Sequence, residues 1–407
     1  DKYCFLSCVD CCGAMILIGA ISLLVGFILT FPRNLAASNE ISPSAPHKIT
    51  SQYASCWQAV NTSMAKCYFL ATTSSGSTVY CTTNSFSTGV RQSTDYGSTF
   101  STVYSTSYRF LAIAVSSSGQ YVYSGTAAGP IYKNNNYGAT ASWSVAYTPS
   151  NPYYYNWNSI ACSSSGQYVV AMAFTDDVYL SQNYGGSFSS VFNVNRQIYT
   201  VGISGTGQYV VVATNEMANG LAYVYVNSNY GTGTYTQVTT VSNNVIYYIA
   251  VSYSGNYMYF AFTAGLYVSS NYGSTWTQTI TNTILGCVAC SSDASQVFTV
   301  YNSIMVSDSY GASGTFYTDL SGTFSAVAVS STAEYAYALS YNDNILYLCV
   351  NDTASLMPNL APTPVPTVST SPTLIPTVTP TSALPTGVPL IPPTLMPSIV
   401  PTDSPTT

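Results

Sequence analysis

Side chains that could act as acids, bases or metal ligands are rare in this sequence. Its 407 residues include 14 Asp and Glu, 8 Lys and Arg and one His, so charged residues make up 5% of the chain against about 25% in an ordinary soluble domain. Asp176 and Asp177 are adjacent carboxylates, but neighbours on one strand or loop more often form a turn than an acid–base pair. The sequence therefore predicts no catalytic residues and no cofactor.

The residue types that usually bind metal ions do not form a recognisable site in this sequence. His47 is the single histidine, and Cys287 with Cys290 has no second ligand pair at zinc spacing. We interpret these two cysteines as strand residues that are buried or bonded elsewhere. Seven cysteines follow the N-terminal region, and because seven is odd, at least one is free or pairs between molecules in an oxidising compartment. The seven are Cys56, Cys67, Cys81, Cys162, Cys287, Cys290 and Cys349.

The net charge of −6 excludes a nucleic-acid-binding surface, which needs clustered cations. The polar surface must instead come from Ser, Thr, Asn, Gln and the 38 tyrosines. A surface with so little charge repulsion is expected to self-associate or to carry glycans.

The elements that position these residues are signalled by an internal repeat of roughly 38–48 residues, the period of a β-propeller. Each copy has a small-residue turn between two short strands, and in most copies a glycine supplies the positive φ of a hairpin. The seven turns lie at 74–76, 117–121, 164–168, 205–209, 253–257, 291–293 and 330–332.

A second signature follows in every copy but the last. The closest copies read STDYGSTF at 93–100 and SSNYGSTW at 269–276, and looser ones lie at 134–143, 181–188, 227–235 and 307–316. A short polar side chain bonds the backbone of a tight turn, and an aromatic residue packs the turn onto the strands. The residues of these turns are Ser93, Asp95, Gly97, Asn136, Gly138, Ser181, Asn183, Gly185, Asn229, Gly231, Ser269, Asn271, Gly273, Trp276, Ser307 and Gly311.

This signature resembles the Asp-box (BNR) repeat, Ser-x-Asp-x-Gly-x-Thr-Trp, of sialidases, sortilin-type domains and photosystem-assembly propellers. The resemblance implies a β-propeller in which the box builds hairpins and marks no active site. A sialidase also needs three arginines, a Tyr/Glu nucleophile pair and an acid–base Asp. Arg91, Arg109 and Arg196 lie in no recognisable motif of that family, and Glu216 and Glu334 are the only glutamates of the repeats. We therefore expect no sialidase activity.

The fold class is thus all-β, a seven-bladed propeller over residues 52–352 with four strands per blade, for example 249–252, 257–261, 266–269 and 276–279. The seventh repeat lacks a fourth strand after 345–350. Segment 55–60 precedes the first repeat and resembles a fourth strand, so we expect it to close the ring. Two disulfides are consistent with this arrangement, Cys56–Cys349 across the seam and Cys67–Cys81 across a hairpin.

Residues 13–31 are 19 uncharged residues that as a helix span roughly 28 Å, the thickness of a bilayer's hydrocarbon core. A signal sequence cleaved near 35–38 is the alternative. A spanning helix predicts a type II anchor at the cell surface, with residues 1–12 cytoplasmic and 32–51 a linker. The juxtamembrane thiols are either S-acylation sites or lipid-proximal apolar residues. They are Cys4, Cys8, Cys11 and Cys12.

Residues 353–407 are rich in Pro and Thr and show no hydrophobic period, which predicts a polyproline II-like stalk or tail, with O-glycosylation as an option. Two N-glycosylation sequons begin at Asn61 and Asn351, close to the expected seam.

Together these features favour a structural or assembly glycoprotein of an extracellular surface layer, appendage or filament, with the membrane and copies of itself or other surface glycoproteins as partners. The alternative is a membrane-anchored propeller that binds a peptide or glycan, and a glycosidase-like enzyme is third. In the alternative, Trp143, Trp157 and the run 153–155 stack on sugar rings, unless they pack between blades.

Overall fold

The computed structural model describes residues 56–351, apart from 63, 65, 66, 84, 87, 152–154, 174–176, 195, 217–219, 243 and 244. The chain forms seven four-stranded antiparallel sheets, a seven-bladed β-propeller, as expected. Among these residues the helical element is one 3-10 turn, Thr140–Ser142, and no helix is long and apolar enough to span a bilayer. The predicted segments 1–12, 13–31, 32–51 and 353–407 lie outside the described range.

The strands of six blades follow one another along the chain. Blade one comprises β2 (Phe69–Thr72), β3 (Val79–Thr82), β4 (Val90–Ser93) and β5 (Ser101–Tyr104). Blade two comprises β6 (Phe110–Val115), β7 (Val122–Thr126), β8 (Ile131–Asn134) and β9 (Trp143–Tyr147). Blade three comprises β10 (Trp157–Cys162), β11 (Val169–Ala173), β12 (Asp177–Ser181) and β13 (Ser189–Asn193). Blade four comprises β14 (Gln197–Ile203), β15 (Val210–Glu216), β16 (Leu221–Asn227) and β17 (Thr236–Ser242).

The remaining blades complete the ring. Blade five comprises β18 (Ile246–Val251), β19 (Met258–Phe262), β20 (Gly265–Ser269) and β21 (Thr277–Thr281). Blade six comprises β22 (Cys287–Cys290), β23 (Val297–Val300), β24 (Ser303–Ser307) and β25 (Tyr317–Ser321). Blade seven comprises β26 (Phe324–Val329), β27 (Tyr335–Ser340), β28 (Leu346–Val350) and β1 (Trp57–Asn61).

We letter the strands of each blade A to D in the sheet order above. The A strands neighbour one another around the central channel. Because the strands alternate in direction, the A–B and C–D turns share one end of the propeller, which we term the hairpin face. The B–C and D–A connections form the opposite crossover face.

The ring is closed by β1, which pairs antiparallel with β28 in the register Trp57 to Cys349. The predicted closure is therefore confirmed. The structure also contains the disulfides Cys56–Cys349, with Cα atoms 4.7 Å apart, and Cys67–Cys81, with Cα atoms 5.8 Å apart. Strand pairing and the first disulfide thus join the two ends of the propeller.

The core lies between blades, where facing sheets interdigitate their alternating side chains. Four tyrosines on B strands are fully buried, and their hydroxyls bond across blades or within one. Tyr123 donates to the Gly166 carbonyl and Tyr337 to the Gly76 carbonyl, each at 2.7 Å. Tyr259 likewise donates to the Tyr310 carbonyl at 3.1 Å, so three of the four phenols tie a B strand to a turn of the next blade, while Tyr80 accepts from Gln92 of its own blade at 2.8 Å.

Candidate interaction face

Each of the first six blades carries the same turn between strands C and D. Its first residue accepts a hydrogen bond from the backbone N–H of the glycine four positions later, and so supplies a partner that the turn backbone lacks. The glycine and acceptor pairs, with the distance from the glycine N to the acceptor oxygen, are Gly97–Ser93 (2.8 Å), Gly138–Asn134 (2.9 Å), Gly185–Ser181 (3.0 Å), Gly231–Asn227 (2.9 Å), Gly273–Ser269 (2.9 Å) and Gly311–Ser307 (3.2 Å).

The third residue of the turn adds further bonds. Asp95, Asn183 and Asn271 each accept from the backbone N–H four positions later at 2.9 Å. The Thr99 hydroxyl donates to Asp95 at 2.7 Å and is the largest cause that lowers the pKa of this carboxyl. In two of the lengthened turns the third residue, Asn136 or Asn229, donates its side-chain amide to the hydroxyl of Ser142 or Thr232.

In three of the six turns the aromatic residue that ends the turn is anchored by its polar atom, whereas the other three turns end in phenylalanine. Trp276 donates its indole N–H to the Gly273 carbonyl at 3.0 Å, and the Tyr235 hydroxyl donates to the Gly231 carbonyl at 3.1 Å. The aromatic ring therefore packs on the strand pair while its donor binds the turn.

Sequence reasoning missed the residue before the glycine, which is tyrosine in all six turns. These tyrosines have φ between +53° and +59°, a left-handed conformation that costs about 1 kcal/mol or more for a residue with a Cβ. These tyrosines are 38–56% exposed, so burial of the ring does not by itself explain why tyrosine occupies this strained position. They are Tyr96, Tyr137, Tyr184, Tyr230, Tyr272 and Tyr310.

Five of the six turn tyrosines pack against a tyrosine of the preceding blade's A–B turn, with ring centroids 4.8–5.0 Å apart. The pairs are Tyr96–Tyr335, Tyr184–Tyr121, Tyr230–Tyr168, Tyr272–Tyr209 and Tyr310–Tyr257. In the sixth case the preceding blade has Thr78 at this position, and Tyr137 is the most exposed of the set at 56%. We call these eleven residues the tyrosine ring.

Blade seven has no such turn, because its strands C and D come from opposite ends of the propeller. Cys349 pairs with Ala336 as Ser181 pairs with Val169 in blade three, so the cysteine occupies the first position of the turn. Cys56 directly precedes β1. The disulfide between them therefore joins strands C and D where the other blades have continuous chain.

Seven backbone hydrogen bonds link the A–B turns around the channel mouth on the hairpin face, at 2.8–3.0 Å. The donors and acceptors are Ser74–Ser117, Ser117–Ser164, Ser164–Gly205, Thr206–Tyr253, Tyr253–Ser292, Ser292–Ser331 and Ser331–Ser74. A cavity of about 180 Å³ opens inside this ring. Tyr253 lies half exposed at the rim of this cavity and covers Gly205. A Cβ at position 205 would lie 2.3 Å from a ring carbon of Tyr253, so the glycine allows the tyrosine ring to pack there.

The cysteines that resembled a zinc half-site point away from each other. Cys287 packs between blades six and seven, whereas Cys290 packs between blades five and six. Both are free thiols, as is Cys162, and burial raises the pKa of each to about 12. Among the described residues no group of three or more His, Cys, Asp or Glu could hold a metal ion.

The three arginines of the repeats lie in different blades and have different partners. Arg91 on β4 donates to the Phe100 carbonyl at 3.0 Å, and Arg109 lies over the Phe86 ring. Arg196 forms a cluster on the crossover face, where it donates to a Glu216 carboxylate oxygen at 3.3 Å and to the Tyr225 hydroxyl at 2.9 Å. The Tyr223 hydroxyl donates to the same Glu216 oxygen at 3.0 Å, and the guanidinium carbon lies 4.2 Å from the Tyr223 ring centre.

A partly buried carboxylate links the closing strand to blade six. Asp319 accepts from the Trp57 indole N–H at 2.7 Å, while its second oxygen has no hydrogen-bond partner in the described part of the chain. The pKa of Asp319 is raised to about 6, chiefly by burial; the Trp57 hydrogen bond lowers it and the nearby Asp308 adds to the rise.

The aromatic residues proposed to stack on sugars lie mostly in packing positions. For Trp157 the alternative of packing between blades is confirmed, because its side chain is fully buried between blades two and three and its indole N–H donates to the Gly129 carbonyl. Trp143 stacks on Tyr104 at 5.0 Å, and Tyr155 stacks on Trp157 at 5.5 Å. Residues 153 and 154 lie outside the described range. Occupancy of the sequons at Asn61 and Asn351 stays a prediction.

No family model and no curated protein sequence matches this chain. Solved structures share its fold. The hydrazine synthase of Kuenenia stuttgartiensis has a TM-score of 0.55 at 11% identity, covering 70% of this chain and 95% of that one. The WD40 repeats of RRP9 have a TM-score of 0.56 at 12% identity, covering 72% and 97%. YCF48 from Cyanidioschyzon merolae has a TM-score of 0.55 at 12% identity, covering 74% and 100%. These likenesses show a propeller fold and nothing about activity.

Proposed function

We propose that this chain is a structural glycoprotein whose propeller is a docking unit in an extracellular surface layer, appendage or filament. The observation that carries the proposal is the tyrosine ring. Six tyrosines hold an unfavourable backbone conformation and still leave roughly half of each side chain in solvent. Large amphipathic side chains of limited flexibility are favoured at protein interfaces.

The low charge of the chain supports the same proposal. With 5% charged residues there is little electrostatic repulsion between copies, so apolar and hydroxyl contacts can hold them together. The turns that present the tyrosines are fixed by side-chain bonds to the glycine N–H, which gives a rigid surface whose ordering on binding costs little entropy. An Asp-box type of propeller, an anchored type II topology and the absence of catalysis are parts of this proposal.

Sedimentation velocity of the full chain in detergent tests the docking role. We expect oligomers that dissociate when Tyr137 and Tyr272 are both changed to Ser, because each change removes a ring from the hairpin face. Tyr341→Ser is the matched control, since Tyr341 is 47% exposed on a B–C loop of the crossover face. A chain that is monomeric even at about millimolar concentration, or oligomers insensitive to the ring variants, would contradict the proposal.

One observation favours the alternative of a glycan-binding propeller. The channel mouth joins a cavity of about 180 Å³, serine hydroxyls and the half-exposed phenol of Tyr253, which is a combination suited to a sugar ring. Binding to an array of glycans that is lost in Tyr253→Ala, with sedimentation unchanged, would favour this second function.

A further inference from the structure

The stacked pairs of the tyrosine ring place two phenols side by side five times on the hairpin face. In each pair the ring centroids lie 4.8–5.0 Å apart, and the ring planes are inclined by 18–38°. Each pair also joins two neighbouring blades, because one tyrosine ends an A–B turn and the other lies in the C–D turn of the next blade. The two rings are therefore in contact across a boundary between blades.

The two members of a pair have different surroundings. The A–B turn tyrosine is half-buried and packs against the A–B turn glycine of the next blade, so that a Cβ at Gly207 would lie 2.5 Å from a ring carbon of Tyr168. Gly166 and Tyr121 have the same relation, at 2.8 Å. The C–D turn tyrosine is 38–47% exposed in the five pairs. One ring is thus fixed by packing, while the other has solvent on one side, where it can rotate and meet a dissolved oxidant.

Two phenols in contact are the reactants of oxidative coupling. A one-electron oxidant, such as a haem peroxidase supplied with hydrogen peroxide, removes an electron and a proton from each hydroxyl and leaves two phenoxyl radicals. The unpaired electrons reside partly on the Cε atoms beside the oxygen, so a carbon–carbon bond forms between two Cε atoms. The proton on each of these carbons then moves to the phenol oxygen and restores the aromatic ring. Two tyrosines and one hydrogen peroxide thus give one dityrosine and two waters.

We propose that the five tyrosine pairs are sites of dityrosine formation within one chain, where oxidation joins neighbouring blades covalently. Proximity favours this coupling over coupling between copies, because a neighbouring ring acts at a high effective concentration. Tyr96 and Tyr335 join blade one to blade seven, so their coupling would add a second covalent closure to the Cys56–Cys349 disulfide. Coupling within one chain needs no partner molecule and is independent of the proposed docking function.

The same chain contains tyrosines that lack one of the required conditions. Tyr137 has the backbone conformation and exposure of the other turn tyrosines, but Thr78 occupies the partner position. Tyr253 is 50% exposed and has no ring contact in the described part of the chain. Tyr104 and Tyr132 lie 5.1 Å apart, but their rings are T-shaped and Tyr132 is buried. These tyrosines should form no dityrosine within the chain, which separates the effect of pairing from that of exposure alone.

Peroxidase treatment of the full chain in detergent tests this proposal. Equal amounts of ¹⁴N- and ¹⁵N-labelled chain are mixed, treated with hydrogen peroxide and a haem peroxidase, and digested with pepsin. Mass spectrometry then identifies linked peptide pairs that have lost two hydrogen atoms. We expect the five tyrosine pairs to be linked within one isotope, each at a yield at least about fivefold above any crosslink of Tyr137, Tyr253 or Tyr132, because only the stacked pairs combine proximity with access.

Two substitutions test the pairing itself. Tyr209→Phe keeps the packed ring and removes the hydroxyl, so the crosslink to Tyr272 should disappear while the other four keep their yields. Thr78→Tyr supplies Tyr137 with a partner and should create a crosslink between positions 78 and 137. Crosslinks that join the isotopes at random, a yield at Tyr137 in the unchanged chain equal to that of the pairs, or no crosslink between 78 and 137 in a folded Thr78→Tyr chain would each overturn the proposal.

Discussion

Removing the seam disulfide with Cys56→Ser and Cys349→Ser should destabilise the propeller more than removing Cys67–Cys81. The seam bond encloses 293 residues and the hairpin bond 14. The chain-entropy relation then gives about 5 to 6 kcal/mol for the seam disulfide and about 3 kcal/mol for the hairpin disulfide. The seam disulfide also takes the place of a C–D turn, so its loss leaves β1 held by strand pairing, packing and the Trp57–Asp319 bond.

Two measurements check this prediction. Equilibrium unfolding in guanidinium chloride should give a free energy of unfolding at least about 2 kcal/mol lower for the seam variant than for the variant Cys67→Ser and Cys81→Ser. Hydrogen exchange should show faster exchange of the Trp57–Asn61 amides in the seam variant, with blade four unchanged. Equal destabilisation of the two variants, together with protected β1 amides, would refute the account of ring closure.

Three further predictions concern turns, pH and thiols. Gly97→Ala should lower the free energy of unfolding by about 2 kcal/mol or more, because φ is +85° and the new Cβ would lie 2.7 Å from Leu346. The control Gly233→Ala has φ +75° and no neighbour within 4 Å, so thermal unfolding should show a loss of about 1 kcal/mol. Since the pKa of Asp319 is raised in the folded state, its protonation favours folding, and the free energy of unfolding should rise by up to about 2 kcal/mol between pH 7 and 4.5 relative to Asp319→Asn; no difference between the two pH profiles would contradict this. Cys287, a buried free thiol with a pKa of about 12, should react with iodoacetamide at pH 8 at least about 100-fold more slowly in the folded chain than in guanidinium chloride, and equal rates would refute its burial.

The fold could be predicted from the sequence because each blade repeats the same short-range signals. The turns place glycine where φ is positive, and the alternating strands differ from expectation by a few residues at their ends. For example, 249–252 is observed as Ile246–Val251. The closure of the ring could also be predicted from the sequence, since segment 55–60 resembles a fourth strand and β1 occupies Trp57–Asn61.

The tyrosine ring was harder to predict from the sequence. A tyrosine before the turn glycine carries no sign of its φ, and its stacking partner lies in another blade, so neither the conformation nor the pairing follows from local sequence. The choice between sugar stacking and packing at Trp157 was open for a similar reason. Its neighbours suggested an exposed loop, whereas long-range packing against Tyr179 buries the indole.

Nitration of tyrosines by tetranitromethane in the native assembly, followed by mass spectrometry, tests the central claim most directly. The readout compares Tyr137 on the hairpin face with Tyr341 on the crossover face, both exposed in the isolated propeller at 56% and 47%. If the tyrosine ring is the docking surface, nitration of Tyr137 should fall at least fivefold on going from dispersed chain to assembly, while Tyr341 stays reactive. Equal nitration of Tyr137 in the dispersed and assembled states would contradict the account.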